Sequence, residues 1–248
     1  MHCGSLLNVS GDDGVRAGAD MTRRERLRAE AIREIRTIAL RQMADDGPGA
    51  ISLRGIAREM RMTPRAIYSY FATRDDLITD LINGIAASLA EEVEAACGAV
   101  PADDPGGRLT AWGQALRRWA LANPEGFRLF YGNPVPGYRP PEGGPVDATA
   151  RRVCRGLTRL VADAWPHARH LQPEDASWSD LHPDYAAEIR AELPDVPPAA
   201  AALALRIWGR MHGLVALEID GHIHPVAGDP AALHRAEMHD LVRSLGLS

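Results

Sequence analysis

Apolar residues recur at three- and four-residue spacing along most of this chain, a rhythm that predicts helices nearly throughout. From Thr22 onward, Leu27, Ile32, Ile35, Ile38, Ala39 and Met43 repeat at helical spacing until Asp45-Asp46-Gly47-Pro48 stops them. A first helix over roughly 23–45 follows. Ser52 is placed to cap a short second helix whose inner face is Leu53, Ile56, Ala57 and Met60, with Arg54, Arg58 and Arg61 turned away. After a turn of about three residues, Thr63 caps a third helix running from Arg65 to Phe71, with Pro64 at the first helical position, where its missing N–H costs nothing. That succession is a helix-turn-helix. Thr73 then opens a long helix, with Asp75 and Asp76 in its first turn complementing the helix dipole and apolar spacing from Leu77 to about Ala96.

Beyond it, Pro101 to Gly107 reads as a linker by composition. The next helix carries Trp112, Leu116, Trp119 and Ala120 on one side and breaks at Asn123-Pro124. A short apolar helix, Glu125 to Tyr131, precedes a Pro- and Gly-rich loop from Gly132 to Pro145, long enough to move and to gate a pocket. Helices resume at about 148–165, 174–181, 185–193, 199–219 and 230–245. Residues 1–20 are Gly- and Asp-rich without periodicity and read as a disordered leader, with Met21 an equally plausible start. Period-two runs of β-branched and aromatic residues are scarce, so the fold class is all-α: a three-helix head over residues 21–72 and a larger helical domain over 73–248.

Charge separates these two parts. Residues 21–74 hold 12 Arg against 6 acidic residues, a surplus of +6 on a chain of net charge −5, so the remainder carries −11. A basic head on an acidic body is the electrostatic footprint of nucleic-acid binding. All 28 basic residues are Arg, which rules out a Schiff-base lysine and a phosphate loop ending in Gly-Lys. Cys3, Cys97 and Cys154 are odd in number and far apart, so neither a disulfide framework nor a Cys-x-x-Cys site is encoded, and a reducing cytoplasm fits. No apolar run approaches the roughly 18–20 residues of a membrane span. The sequence offers no Gly-x-Ser-x-Gly elbow and no dinucleotide glycine motif, so the reading is not an enzyme. His222-x-His224 lacks metal-ligand spacing and reads as a solvated turn; no metal and no cofactor is expected.

Ser52 to Phe71, SLRGIAREMRMTPRAIYSYF, followed by ATRDDL, resembles the DNA-binding head of the TetR family. Met62 and Pro64 depart from it, standing where the family usually has Val and a small polar residue. A recognition helix starting at Pro64 presents its N-terminal half to the major groove, which makes Arg65 the best base reader, with a fork that matches guanine O6 and N7. Thr63 and Ser69 are placed for base or phosphate contacts. By the resemblance, Tyr68, Tyr70, Ser52, Arg54 and Arg74 occupy positions that grip the phosphate backbone. Arg23, Arg24, Arg26 and Arg28 open the first helix as a basic arm. Ile56, Ala57, Met60, Ile67 and Phe71 are the core that fixes the angle between the two helices.

Residues 207–222, IWGRMHGLVALEIDGH, resemble the C-terminal helix of TetR relatives with a WHG-type domain, through Trp208, His212 and Gly213. The resemblance implies a homodimer joined through helices near 148–165 and 199–219, and hence a palindromic double-stranded DNA operator. Aromatics are few in this chain but gather in the larger domain, where Trp112, Trp119, Phe127, Phe130, Tyr131, Trp165, Trp178, Tyr185 and Trp208 are candidates to line a pocket for a largely apolar small-molecule effector. His212 is the candidate orienting group. The function expected is a ligand-responsive repressor; an activator of the same family is the alternative, and an all-α enzyme using the aromatic pocket the remote one.

Overall fold

The computed structural model describes residues 22–132, 135–141, 145–173 and 176–247. Among these, α1 (Arg23–Asp46), α2 (Leu53–Glu59), α3 (Pro64–Ile67) and α4 (Arg74–Gly98) are followed by α5 (Pro105–Ala122) and α6 (Pro124–Tyr131). Then come α7 (Pro145–Ala168), α8 (Pro183–Glu192), α9 (Pro198–Ile219) and α10 (Pro230–Ser244), with no strand among the described residues. The leader lies outside the described residues.

The helix starts are chemically explicit. Thr22 with Glu25, and Thr73 with Asp76, form reciprocal capping boxes on α1 and α4. Single side-chain caps come from Ser52, Thr63, Asp104 and Asp229. In the turn between α2 and α3, Arg61 sits at φ +55, and Met62 N–H reaches back to the Ala57 carbonyl at 2.8 Å. This is the left-handed cap that glycine usually fills, carried here by a residue with a Cβ. Arg61→Gly should therefore stabilise the protein by about 0.5–1 kcal/mol, read as a higher urea midpoint at unchanged slope; an unchanged or lower midpoint would show that the turn holds no such strain.

Four expectations change. The recognition helix does not run to Phe71: after Ile67 the chain tightens into three-residue turns, with Ser69 N–H on Ala66 O and Tyr70 N–H on Ile67 O. The Ser69 hydroxyl also donates to Ala66 O at 2.7 Å, competing with the helical ladder. The linker ends at Asp104, which caps α5, so Gly106 and Gly107 are helical. A Cβ at Gly106 would lie 3.0 Å from Val242 Cγ1, which is why glycine stands there. The helix expected at 174–181 falls partly outside the described residues, and its described part is one tight turn, Trp178–Asp180, closed by Ser177 and Asp180. Within the loop after α6, residues 135–141 are fastened down: Val135 is buried and the Tyr138 hydroxyl meets Thr79 Oγ1 at 2.9 Å, beside α4.

One apolar core runs from the head into the body. Ile35, Ile38, Ile56, Ile67 and Phe71 join Leu77, Ile78 and Leu81 of α4, and α4 carries the core on to Trp112, Leu116, Val161 and Met211. A satellite cluster, Leu181, Ile189, Val196 and Ala201 with their neighbours, seats α8 on the outside, and Trp165 packs on both. Arg36 locks α1 to α4 through a two-pronged ion pair with Asp80, both bonds 2.7 Å.

Candidate DNA-binding surface and effector cavity

Caps fix the head's outward chemistry. Thr63 spends its oxygen on Ala66 N–H at 3.3 Å, and Thr63, Pro64, Arg65, Tyr68 and Ser69 all lie exposed at the start and flank of α3. Tyr68 is 43 % exposed, a large ring that the protein does not bury. Ser52 caps α2 while its own N–H is held by Gln42 Oε1 at 3.1 Å, and Arg54 projects beside it, exposed. Arg28 donates to Ser69 O at 3.2 Å and stands 5.0 Å over the half-buried Tyr70 ring, tying the basic opening of α1 to the end of the recognition turn. Arg23, Arg24, Leu27, Arg28, Ser69 and Tyr70 border one shallow groove.

Arg74 is a correction. Its guanidinium is committed to main-chain carbonyls: Ile51 O at 2.9 Å, Pro48 O at 3.3 Å, Gly49 O at 3.4 Å and Pro136 O at 3.4 Å. It clamps the turn before α2, the start of α4 and the loop after α6 together, rather than facing phosphate. Four N–H···O contacts of one guanidinium thus go to main-chain carbonyls.

In the body, six helices enclose a cavity of about 100 Å³. Leu89 and Val93 come from α4, Trp112 and Leu116 from α5, Tyr131 from α6, Val153, Cys154, Leu157 and Thr158 from α7, Tyr185 from α8, and Ala204, Leu205 and Trp208 from α9. Of the ten residues expected at an effector site, Trp112, Tyr131, Tyr185 and Trp208 therefore line it. Phe127, Phe130 and His212 form a layer behind: His212 stacks on Phe127 at 5.1 Å and meets Tyr131 edge-on at 4.7 Å, and Phe130 packs on Tyr131 at 4.5 Å. Three lie elsewhere. Trp119 is core, its indole N–H on Ser88 Oγ at 3.0 Å; Trp165 bridges the two apolar clusters; Trp178 packs on the satellite.

Sequence reasoning missed the aliphatic wall and two polar residues. Leu89, Val93, Leu116 and Leu157 carry no signal, because core and cavity lining share one periodicity. Thr158 did carry one: a hydroxyl residue on the buried stripe of a helix, only 1 % exposed, needs a partner. Its Oγ1 donates to Cys154 O at 2.9 Å and lies 3.2 Å from the Tyr185 hydroxyl. Burial pushes the Tyr131 and Tyr185 phenols and the Cys154 thiol above their ordinary values, so all three are neutral at pH 7. Burial also lowers His212, which stays an uncharged imidazole.

Besides α4, which runs from the head core at Leu77 to the cavity lining at Leu89 and Val93, α6 connects the cavity to the head. Tyr131 ends α6 inside the cavity, while Pro124, Glu125 and Gly126 begin it beside Arg36 and Leu40 of α1 and Leu81 and Ile85 of α4. Gly126 packs directly on Ile85 of α4. Arg128 holds the same helix to the end of α9 through Ile219 O at 2.6 Å and an ion pair with Asp220, while Glu125, one turn back in α6, braces its guanidinium.

Comparison with known proteins bears on both halves. Residues 35–81 match the model for bacterial regulatory proteins of the tetR family, and residues 109–241 match a tetracyclin repressor-like C-terminal domain. The HTH-type transcriptional regulators Rv1816 of Mycobacterium tuberculosis and Mb1846 of Mycobacterium bovis are each 29% identical over 242 residues, 93% of this chain and 97% of theirs. Among solved structures, regulatory protein SCO4313 is 32% identical with a TM-score of 0.69, covering 90% of this chain and all of that one. A tetR-family regulatory protein from Rhodococcus RHA1 shares the fold at 20% identity and a TM-score of 0.61.

Proposed function

This chain belongs to the TetR family of transcriptional regulators, and from that premise we propose that it is a repressor that grips a two-fold-symmetric operator as a homodimer and releases it when a small molecule fills the cavity. The observation that carries this reading is α6, with one end in the cavity at Tyr131 and the other against α1 and α4 at the head. A ligand that prefers one setting of α6 also prefers one placement of the head, which is the requirement for a ligand to shift operator affinity. Arg65, Thr63, Ser69 and Pro64 meet the bases and adjacent phosphates; Tyr68, Tyr70, Ser52, Arg54 and Arg24 set register on the backbone.

The dimer face follows from what is left uncovered. On α7, Arg151, Arg155 and Arg159 are engaged by Glu188 and Glu192, so α8 occupies the outward side of that helix. Along α9, Leu205, Trp208 and Leu217 are about two-fifths exposed, and a Cβ at Gly209 or Gly213 would meet nothing within 4 Å. An exposed apolar strip with two glycines admits a second helix at close range. We therefore assign the interface to α9 rather than to α7. The test is a fluorescence-anisotropy titration with DNA from directly upstream of the gene. Saturation at two chains per site, lost when Gly209→Arg blocks the strip, is the expected result; binding no tighter than to random DNA would overturn the operator reading, and two-chain binding untouched by Gly209→Arg would overturn the interface.

A further inference from the structure

Nothing that lines the cavity carries a formal charge: its polar groups are hydroxyls and one thiol, and aliphatic and indole surface makes up the rest. Its volume, about 100 Å³, is smaller than the roughly 150 Å³ apolar cavity that admits benzene, so it holds no more than one ring. The cavity opens at α9 beside Leu205 and Trp208, on the strip assigned above to the dimer interface, so a substituent there would meet the partner's helix rather than solvent. We propose that the effector is an uncharged compound with a single apolar ring bearing one hydroxyl that donates a hydrogen bond to the Tyr185 oxygen inside the cavity. This assignment rests on the repressor reading only in calling the ligand an effector.

Hydrogen-bond accounting supplies the hydroxyl. Thr158 gives its proton to Cys154 O, so across the 3.2 Å contact Tyr185 must donate to Thr158, which leaves the Tyr185 oxygen free to accept. Tyr131 completes the lining, its ring 6.2 Å from that of Trp208. A ligand hydroxyl can donate to the Tyr185 oxygen, whereas a bare ring cannot and a carboxylate or ammonium brings a charge with no partner into an apolar enclosure. Because burial keeps Tyr131, Tyr185 and Cys154 protonated, the cavity gains no countercharge near neutral pH.

Isothermal titration of the whole protein with p-cresol, toluene, p-toluate and 4-methylbenzylammonium tests this. The expected result is saturable p-cresol binding at least tenfold tighter than any of the other three. Tyr185→Phe should cut the p-cresol advantage over toluene at least fivefold while leaving toluene affinity within a factor of two, which also shows that the variant is folded. Equal binding of p-toluate or the ammonium, no advantage of p-cresol over toluene, or no saturable binding of any probe would overturn the assignment. Operator affinity measured on the same samples separates the two readings: p-cresol binding with no operator binding, or with operator binding it does not change, leaves the ligand class standing and removes the repressor.

Discussion

Arg65→Ala is expected to weaken operator binding by roughly 100-fold and to flatten the preference at the base pair it reads. A forked guanidinium on guanine is worth about 1–3 kcal/mol, and a two-headed complex loses it twice. Arg65 is an exposed cation at the start of α3, with no hydrogen-bond or ion-pair partner among the described residues, so its removal should leave the head's packing untouched. The measurement is anisotropy against the selected operator and a scrambled duplex across several salt concentrations. Arg24→Ala should behave differently, lowering the salt slope by about one per head while sparing sequence preference. If Arg65→Ala weakened both duplexes equally, Arg65 would be a phosphate contact and the base reader would have to be sought in Thr63 or Ser69.

Glu218→Ala should be the most damaging single change to stability away from the apolar core. Glu218 is 7 % exposed and takes both prongs of Arg117, at 2.8 and 2.6 Å, joining α5 to α9. Removing one partner of a buried pair strands the other charge, at a cost of about 3–5 kcal/mol. Arg117 keeps a fifth of its side chain in solvent, which places the expectation near the lower end, about 3 kcal/mol, or a melting point lower by about 10 °C for a chain of this size. Circular dichroism melts read it directly. Arg117→Ala added to Glu218→Ala should recover much of the loss, because the stranded charge goes with it; no recovery would mean that the carboxylate packs rather than pairs.

The parts of the fold that were legible are those whose ends are written in side chains. Thr22, Ser52, Thr63 and Thr73 announce α1 to α4, and the same caps fix the direction in which Arg65 and Tyr68 leave the head, so the exposed face proposed to meet DNA could be read in advance. Composition misled where a helix cap overrides it. Gly106 and Gly107 look like a linker, yet both are helical, in a first turn that Asp104 caps and Pro105 opens. The candidate effector cavity was half legible for another reason. An aromatic residue on the inner face of a helix reads alike whether it meets a void, as Trp112 does, or closes a hydrogen bond in solid core, as Trp119 does with Ser88. Arg74 shows the limit most plainly: residue type and motif position place a guanidinium, but only the fold shows whether phosphate or carbonyl oxygens surround it.

That clamp has an evolutionary corollary. Arg74 holds Pro48, Gly49, Ile51 and Pro136 solely through their carbonyls, and a carbonyl is present whatever side chain a codon specifies. Substitutions in these turns can therefore drift while the fastening between head and body persists, provided the backbone path is kept. The constraint falls on one position: a lysine at 74 would keep the charge but lose the fork that spans several oxygens. Among relatives, Arg74 should vary far less than the residues it holds.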